Sequence, residues 1–285
     1  MSADAAGHLT GHGEAVQFDA VPPGLSQGNC FVPDAGGNVE TVAQKRWTTM
    51  GTLTPGMVNA APYVDQIVIS ELMYHPRTGT EYLELFNRSN QSVALFDPAQ
   101  PEYRWRLRGV DTYEFPSGTS LLPQRTLLVV PIEPEQFRQE YALGADIQIV
   151  GPYRGKLSNG GEQIILEKPG QAAPNGLRPY YVVDEVAYDD ADPWPYRADG
   201  RGWSLERVNV GAFANSVHNW RRSEQIGGSP GFVSEQIDQD DSGTVEVPPS
   251  LYAGQADERF PHQSNIYLPL FNYIVPQPQM NRCLF

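Results

Sequence analysis

The 285-residue chain is 40% hydrophobic and 19% charged, with 27 glycines, 25 prolines and 14 tyrosines, which suits strands and turns better than helices. Its formal net charge of −14 repels phosphate and argues against nucleic acid as a partner. No apolar run is long enough to span a bilayer, and Cys30 and Cys283, near opposite ends, form neither a zinc motif nor a disulfide framework.

The first residues, Met1 to Ala15, lack the charged start and apolar stretch of a signal peptide. Either the chain stays inside the cell or its natural N-terminus is missing, and a repeat favours the second. Glu14-Ala15-Val16-Gln17-Phe18-Asp19 is followed by Trp47 and by Pro55-Gly56-Met57-Val58. The same order returns as Glu185-Val186-Ala187-Tyr188-Asp189, Trp220 and Pro230-Gly231-Phe232-Val233. Residues 1–63 are therefore expected to be the C-terminal half of an upstream repeat plus a linker. Chance recurrence in a chain rich in glycine and proline is the competing explanation.

Residues 64–233 are expected to form a complete domain. Ile67 to Leu72 opens a series of strands. Glu81 to Asn87 alternates polar and apolar residues, the period of a half-buried strand. Thr126 to Val130 is continuously apolar, as in a strand covered on both faces. A short helix is expected from Glu133 to Tyr141, with Pro134 where a helix start tolerates it. Further strands follow at Glu162 to Glu167, Tyr181 to Tyr188 and Arg201 to Val208. Short strands separated by Gly, Pro and Asn predict an all-β, antiparallel sandwich or barrel. Residues 234–263 read as an acidic, proline-interrupted linker, and 264–285 as an apolar tail seeking a partner or packing back on its own chain.

Residues that resemble chemistry fall short of a motif. Glu81 and Glu84, three apart in a strand, point to opposite faces, which is wrong for a glycosidase pair. The acidic loop Asp184-Glu185 to Asp189-Asp190-Ala191-Asp192 has oxygen ligands without a known loop pattern. Asp238-x-Asp240-x-Ser242-Gly243 begins like a calcium loop, but Pro249 stands where the bidentate glutamate belongs. His8, His12, His75, His218 and His262 are scattered, and Ser158-Asn159-Gly160-Gly161 is a tight turn rather than a phosphate cradle. Asn87-Arg88-Ser89 and Asn90-Gln91-Ser92 are glycosylation sequons with no assigned role. Glu71 and Glu84 each need a donor if buried; Arg88 and Arg207 are the candidates. No catalytic, cofactor-binding or metal-binding residue is assigned, and no cofactor is expected.

Taken in order, Ile67-Val68-Ile69-Ser70-Glu71-Leu72-Met73-Tyr74-His75-Pro76, Glu81 to Asn87, Phe115-Pro116-Ser117-Gly118-Thr119, Leu157-Ser158-Asn159-Gly160-Gly161, Gly202-Trp203-Ser204-Leu205-Glu206-Arg207, Asn219-Trp220 and Gly228-Ser229-Pro230-Gly231 resemble the lamin tail domain family in its exported bacterial branch. The resemblance implies an immunoglobulin-like sandwich without a catalytic centre, in an extracellular or cell-surface protein. The tail from Asn265 to Ile274 is similar to the Tyr-Leu-Pro-Leu endings of some secreted bacterial proteins. The expected role is a structural or binding module with a protein or glycan partner. The alternative is the accessory C-terminal portion of an exported nuclease or phosphoesterase. Lamin-like scaffolding is not expected, since no coiled-coil heptads precede the domain.

Overall fold

The computed structural model describes residues 6, 8, 20–32, 44–173 and 176–233. Strands β1 (Ser26–Val32) and β2 (Gln44–Met50) form an antiparallel hairpin. Cys30 and Met50 are buried there against Ala60. The repeat segment Glu14 to Asp19, the acidic linker and the apolar tail lie outside the described residues. Trp47 in β2 is 37% exposed, whereas Trp220 is 5% exposed.

Among the described residues from Ile67 to Val233 the chain is mostly strand, compatible with an all-β class, with one short α-helix. The elements are β3 (Ile67–Met73), β4 (Tyr82–Asn87), β5 (Val93–Ala94), β6 (Phe96–Asp97), β7 (Gln100–Arg104), β8 (Arg106–Arg108), β9 (Tyr113–Glu114), β10 (Ser120–Leu121) and β11 (Thr126–Val129). They continue with α1 (Pro134–Glu140), β12 (Gln148–Val150), β13 (Glu162–Pro169), β14 (Tyr180–Tyr188), β15 (Leu205–Arg207) and β16 (Trp220–Arg222). One sheet has the order β12-β11-β4-β3-β15-β16 and the other β14-β13-β8-β9. Short ladders join β5 to β10 and β6 to β7.

Ile69, Leu72, Leu83, Leu85, Leu127 and Leu205 of the first sheet share one hydrophobic cluster with Leu107, Ile164, Leu166 and Val186 of the second. Each such side chain, fully buried, stabilises the fold by about 1.5–3 kcal/mol. The alternation in β4 holds: Leu83 and Leu85 enter this core, and Tyr82 faces the other way. There Tyr82, Met73, Leu128 and Val130 form a second cluster beneath α1, with Phe137 fully buried and its ring 5.7 Å from Tyr82. The helix starts at Pro134 because proline at the first turn removes an N–H that would have no partner there.

The antiparallel expectation needs one correction. β11 and β12 pair in parallel, Leu127 opposite Gln148 and Val129 opposite Val150. The segment carrying α1 crosses over between them, as parallel neighbours require. A second irregularity matters more. The register of β3 on β4 shifts between Ile69 and Glu71, so Ser70 is an extra residue. Ile69 and Leu72 consequently both enter the hydrophobic cluster shared by the two sheets although they are three apart. Without the bulge Glu71 would share the face of Ile69; with it, Glu71 turns outward.

Candidate functional site

The bulge, the alternation of β4 and the short strand β15 place three glutamates in a row. Glu71 stands opposite Glu84 on one side and opposite Glu206 on the other. They are 1%, 0% and 7% exposed, so three carboxyls sit side by side with almost no water. Their donors come from two directions. Glu71 Oε1 accepts from the Tyr82 hydroxyl at 2.8 Å, the Ser204 hydroxyl, and the Ser229 N–H at 2.8 Å. Glu84 accepts from the Ser70 hydroxyl and the Gly231 N–H, each at 2.7 Å. The Ser229 hydroxyl lies 2.9 Å from Glu206 Oε1 and 3.3 Å from Glu71 Oε2, and Arg221 approaches Glu206 at 3.3 Å.

Burial pushes the Glu71 carboxyl up to about 7, against the pull of the Ser204, Ser229 and Tyr82 hydrogen bonds. Burial, followed by the charge of Glu71, pushes Glu84 well above the ordinary carboxylate range. Like charges this close in a dry setting cannot all ionise cheaply. Glu71 and Glu84 therefore hold their protons to higher pH than ordinary carboxylates do.

Neither arginine expected from sequence serves these carboxyls. Arg207 is fully buried and pairs with Asp184 of β14, while also donating to the carbonyls of Ile69 and Ala212. Asp184 also accepts the Ile69 N–H at 2.8 Å, so this pair links the two sheets. Burial raises the Asp184 carboxyl, with the Arg207 charge opposing the rise. Arg88 reaches only the carbonyls of Val64 and Asp65, at 3.5 Å.

The remaining sequence candidates do not converge. Glu81 accepts from the Tyr153 hydroxyl at 2.7 Å and the Leu157 N–H at 2.9 Å, and so has different partners from Glu84. Burial raises its carboxyl as well. Within the acidic loop, Asp184 is held by Arg207, Asp189 accepts the Ala191 N–H, and Asp190 and Asp192 are exposed. His75 Nδ1 lies 2.6 Å from Asp199, and His218 sits in a 3-10 turn. His12, His262 and the Asp238 to Gly243 segment lie outside the described residues. Among the described residues no group of three or more His, Cys, Asp or Glu side chains is arranged to hold a metal ion. In the Ser158 to Gly161 turn, Ser158 N donates to Glu162 at 2.6 Å and its carbonyl accepts the Tyr188 hydroxyl. Asn87 is fully buried, its amide donating to the carbonyls of Gln91 and Leu121, whereas Asn90 is exposed.

The crevice over the glutamate row has a volume of only about 10 Å³, between Ser70, Arg207, Phe232 and Val233. That is the lower limit for one water molecule. A larger, open concavity of about 450 Å³ lies along β12 and is lined by Ser120, Arg138, Asp146 and Gln148. Arg138 is engaged there by the carbonyls of Gly144 and Ile147. Sequence reasoning singled out Glu71 and Glu84 but missed Glu206 and the three serines. The proximity of serine to glutamate at Ser70-Glu71 and Ser204-Leu205-Glu206 is the signal that could have found them. No helix among the described residues is long and apolar enough to cross a membrane. No protein-family model matches the chain, and no curated protein or solved structure matches it.

Proposed function

We propose that the chain is a non-catalytic structural and binding module of an exported bacterial lamin-tail-domain protein, with an immunoglobulin-like sandwich at its centre. One observation carries this reading. The residues that look most like chemistry have their polar atoms committed to one another. Glu71, Glu84 and Glu206 bind Ser70, Ser204, Ser229 and the Gly231 N–H. This network fastens the segment leaving the domain across the outer face of the six-stranded sheet. The fastened residues are those of the ordered motifs: Ser70-Glu71, Glu84, Ser204 to Arg207 and Ser229-Pro230-Gly231. A structural role explains why these motifs occur together without a cavity for substrate.

The test is a turnover panel on the purified full chain. Phosphodiester, phosphomonoester and glycoside substrates are offered with and without calcium. Rates at the level of the blank are expected. Turnover that disappears in Glu71→Gln or Glu84→Gln would overturn the proposal.

A further inference from the structure

Beside this acidic, inward-looking network lies a surface of the opposite character. The loop before β15 and the strand β16 bring together Tyr196, Arg197, Arg201, Trp203 and Arg222. The Arg197 guanidinium lies 5.8 Å from the Tyr196 ring and 5.2 Å from the Trp203 ring. Arg201 lies 5.2 Å from the Tyr196 ring, and Arg222 lies 5.9 Å from that of Trp203. All three arginines are exposed, and Tyr196 is 59% exposed. Arg197 Nε also donates to the Tyr196 hydroxyl at 3.2 Å. Among the described residues none of these three arginines pairs with a carboxylate, whereas Arg104, Arg106, Arg108, Arg178, Arg207 and Arg221 all do. Asp199, which stands between Arg197 and Arg201 in the chain, is turned to His75. Exposed Ile226 adds an apolar contact beside Gly202.

We infer that this face binds an acidic peptide segment of a partner protein. The inference rests on the binding-module reading above and gives it a site and a partner chemistry. Cation–π contact with Tyr196 and Trp203 restrains the three guanidinium groups and limits the side-chain entropy lost when a carboxylate docks. Guanidinium groups offer paired N–H donors that match a carboxylate bidentately. Tyr, Trp and Arg are the residues enriched at the centres of protein interfaces, and arginine clusters are a recurring device for acidic motifs. The Tyr196 phenol feels the same field: its pKa is lowered, first by the Arg197 hydrogen bond and charge and then by Arg201 and Arg222. A peptide fits better than the other polyanions. Arginines already lie over the rings on which a sugar would stack, and a chain of net charge −14 repels a densely charged phosphate backbone more strongly than a peptide whose acids are spaced by apolar residues.

The experiment measures binding of a fluorescein-labelled glutamate–leucine peptide to the full chain by fluorescence anisotropy, at low and high salt. Binding weakened by salt is expected. The triple variant R197A/R201A/R222A should lower affinity by about tenfold or more, since charge-assisted hydrogen bonds carry such contacts. The triple lysine variant should keep part of the binding, because charge remains while the fork is lost. Arg125→Ala, outside the patch, should change nothing. If the triple alanine variant unfolds in a thermal melt, the exposed single change Arg201→Glu carries the test, with the same loss expected. No binding by the parent chain overturns the inference, and so does equal binding by parent and variants. Polygalacturonate or a single-stranded oligonucleotide bound through these arginines in place of the peptide also overturns it. A chain that fails to bind yet shows no turnover loses this inference alone; turnover in the substrate panel removes the module reading instead.

Discussion

Replacing Glu71 by glutamine should alter how stability depends on pH rather than simply lower it. Below about pH 4.5 the Glu71 carboxyl is protonated in both the folded and unfolded chain, and its ionisation contributes nothing. As pH rises, the unfolded chain releases the proton first, while burial delays the release in the folded chain to about pH 7. The folded state therefore binds more protons over that window, and stability falls as pH rises through it. A displacement from 4.5 to about 7 amounts to about 3 kcal/mol, fully lost above the upper value. Glu84, raised in the same direction, adds to the slope.

Glutamine keeps an acceptor oxygen for Tyr82, Ser204 and Ser229 and cannot ionise. Its amide group would meet the Ser229 hydroxyl, which accepts as readily as it donates. Glu71→Gln should thus lie within about 1 kcal/mol of the parent at low pH. It should exceed the parent by about 3 kcal/mol at about pH 8. Urea unfolding followed by tryptophan fluorescence at a series of pH values reads both quantities. Parallel curves for parent and variant, offset by a constant loss, would refute the argument, because they would mean that Glu71 titrates normally in the folded chain.

Three further outcomes follow from the same geometry. Arg207→Met strands Asp184 as a buried charge and should cost about 3–5 kcal/mol, most of it recovered in the double variant with Asp184→Leu; chemical denaturation of the two measures this. Gly228→Ala should cost about 2 kcal/mol or more, through strain and steric conflict. Its φ is +77° and an added Cβ would stand 2.1 Å from the Tyr82 hydroxyl and 2.4 Å from Glu71 Oε1, so the melting temperature should drop. Phe137→Ala should cost about 3–5 kcal/mol by emptying the cluster under α1. Hydrogen exchange should then rise in α1 and β12 before it rises in β13 and β14, whose side chains lie in the other core.

The parts of this structure legible in the sequence are those written in local periodicity. Tyr82 to Asn87 alternates and is a strand; Pro134 marks the start of the α-helix α1; Ser158 to Gly161 is a turn. What escaped reading depends on pairing between distant segments. β12 has three residues and no period to reveal, and nothing local fixes its parallel register on β11. The Ser70 bulge exists because β3 must satisfy neighbours on both edges, and those neighbours are absent from a local window. Arg207 and Asp184 meet across two sheets, so charge alone offered Arg207 to the wrong carboxyls. Arg197, Arg201 and Arg222 look like scattered surface charges until the loop before β15 and strand β16 place them together.

The bulge also explains why a protein would keep a glutamate row that weakens it near neutrality. An apolar row would bury as much surface, but it would accept any neighbour. Carboxyls in a dry setting are stable only where every lone pair meets a donor, and the donors here belong to particular residues of β3, β4, β15 and the exit segment. A one-residue slip of β15 on β3 would break this network and also turn Arg207 away from Asp184. The two polar clusters therefore select one register and one path for the chain leaving the domain. Buried charge, a poor source of stability, acts here as a source of specificity.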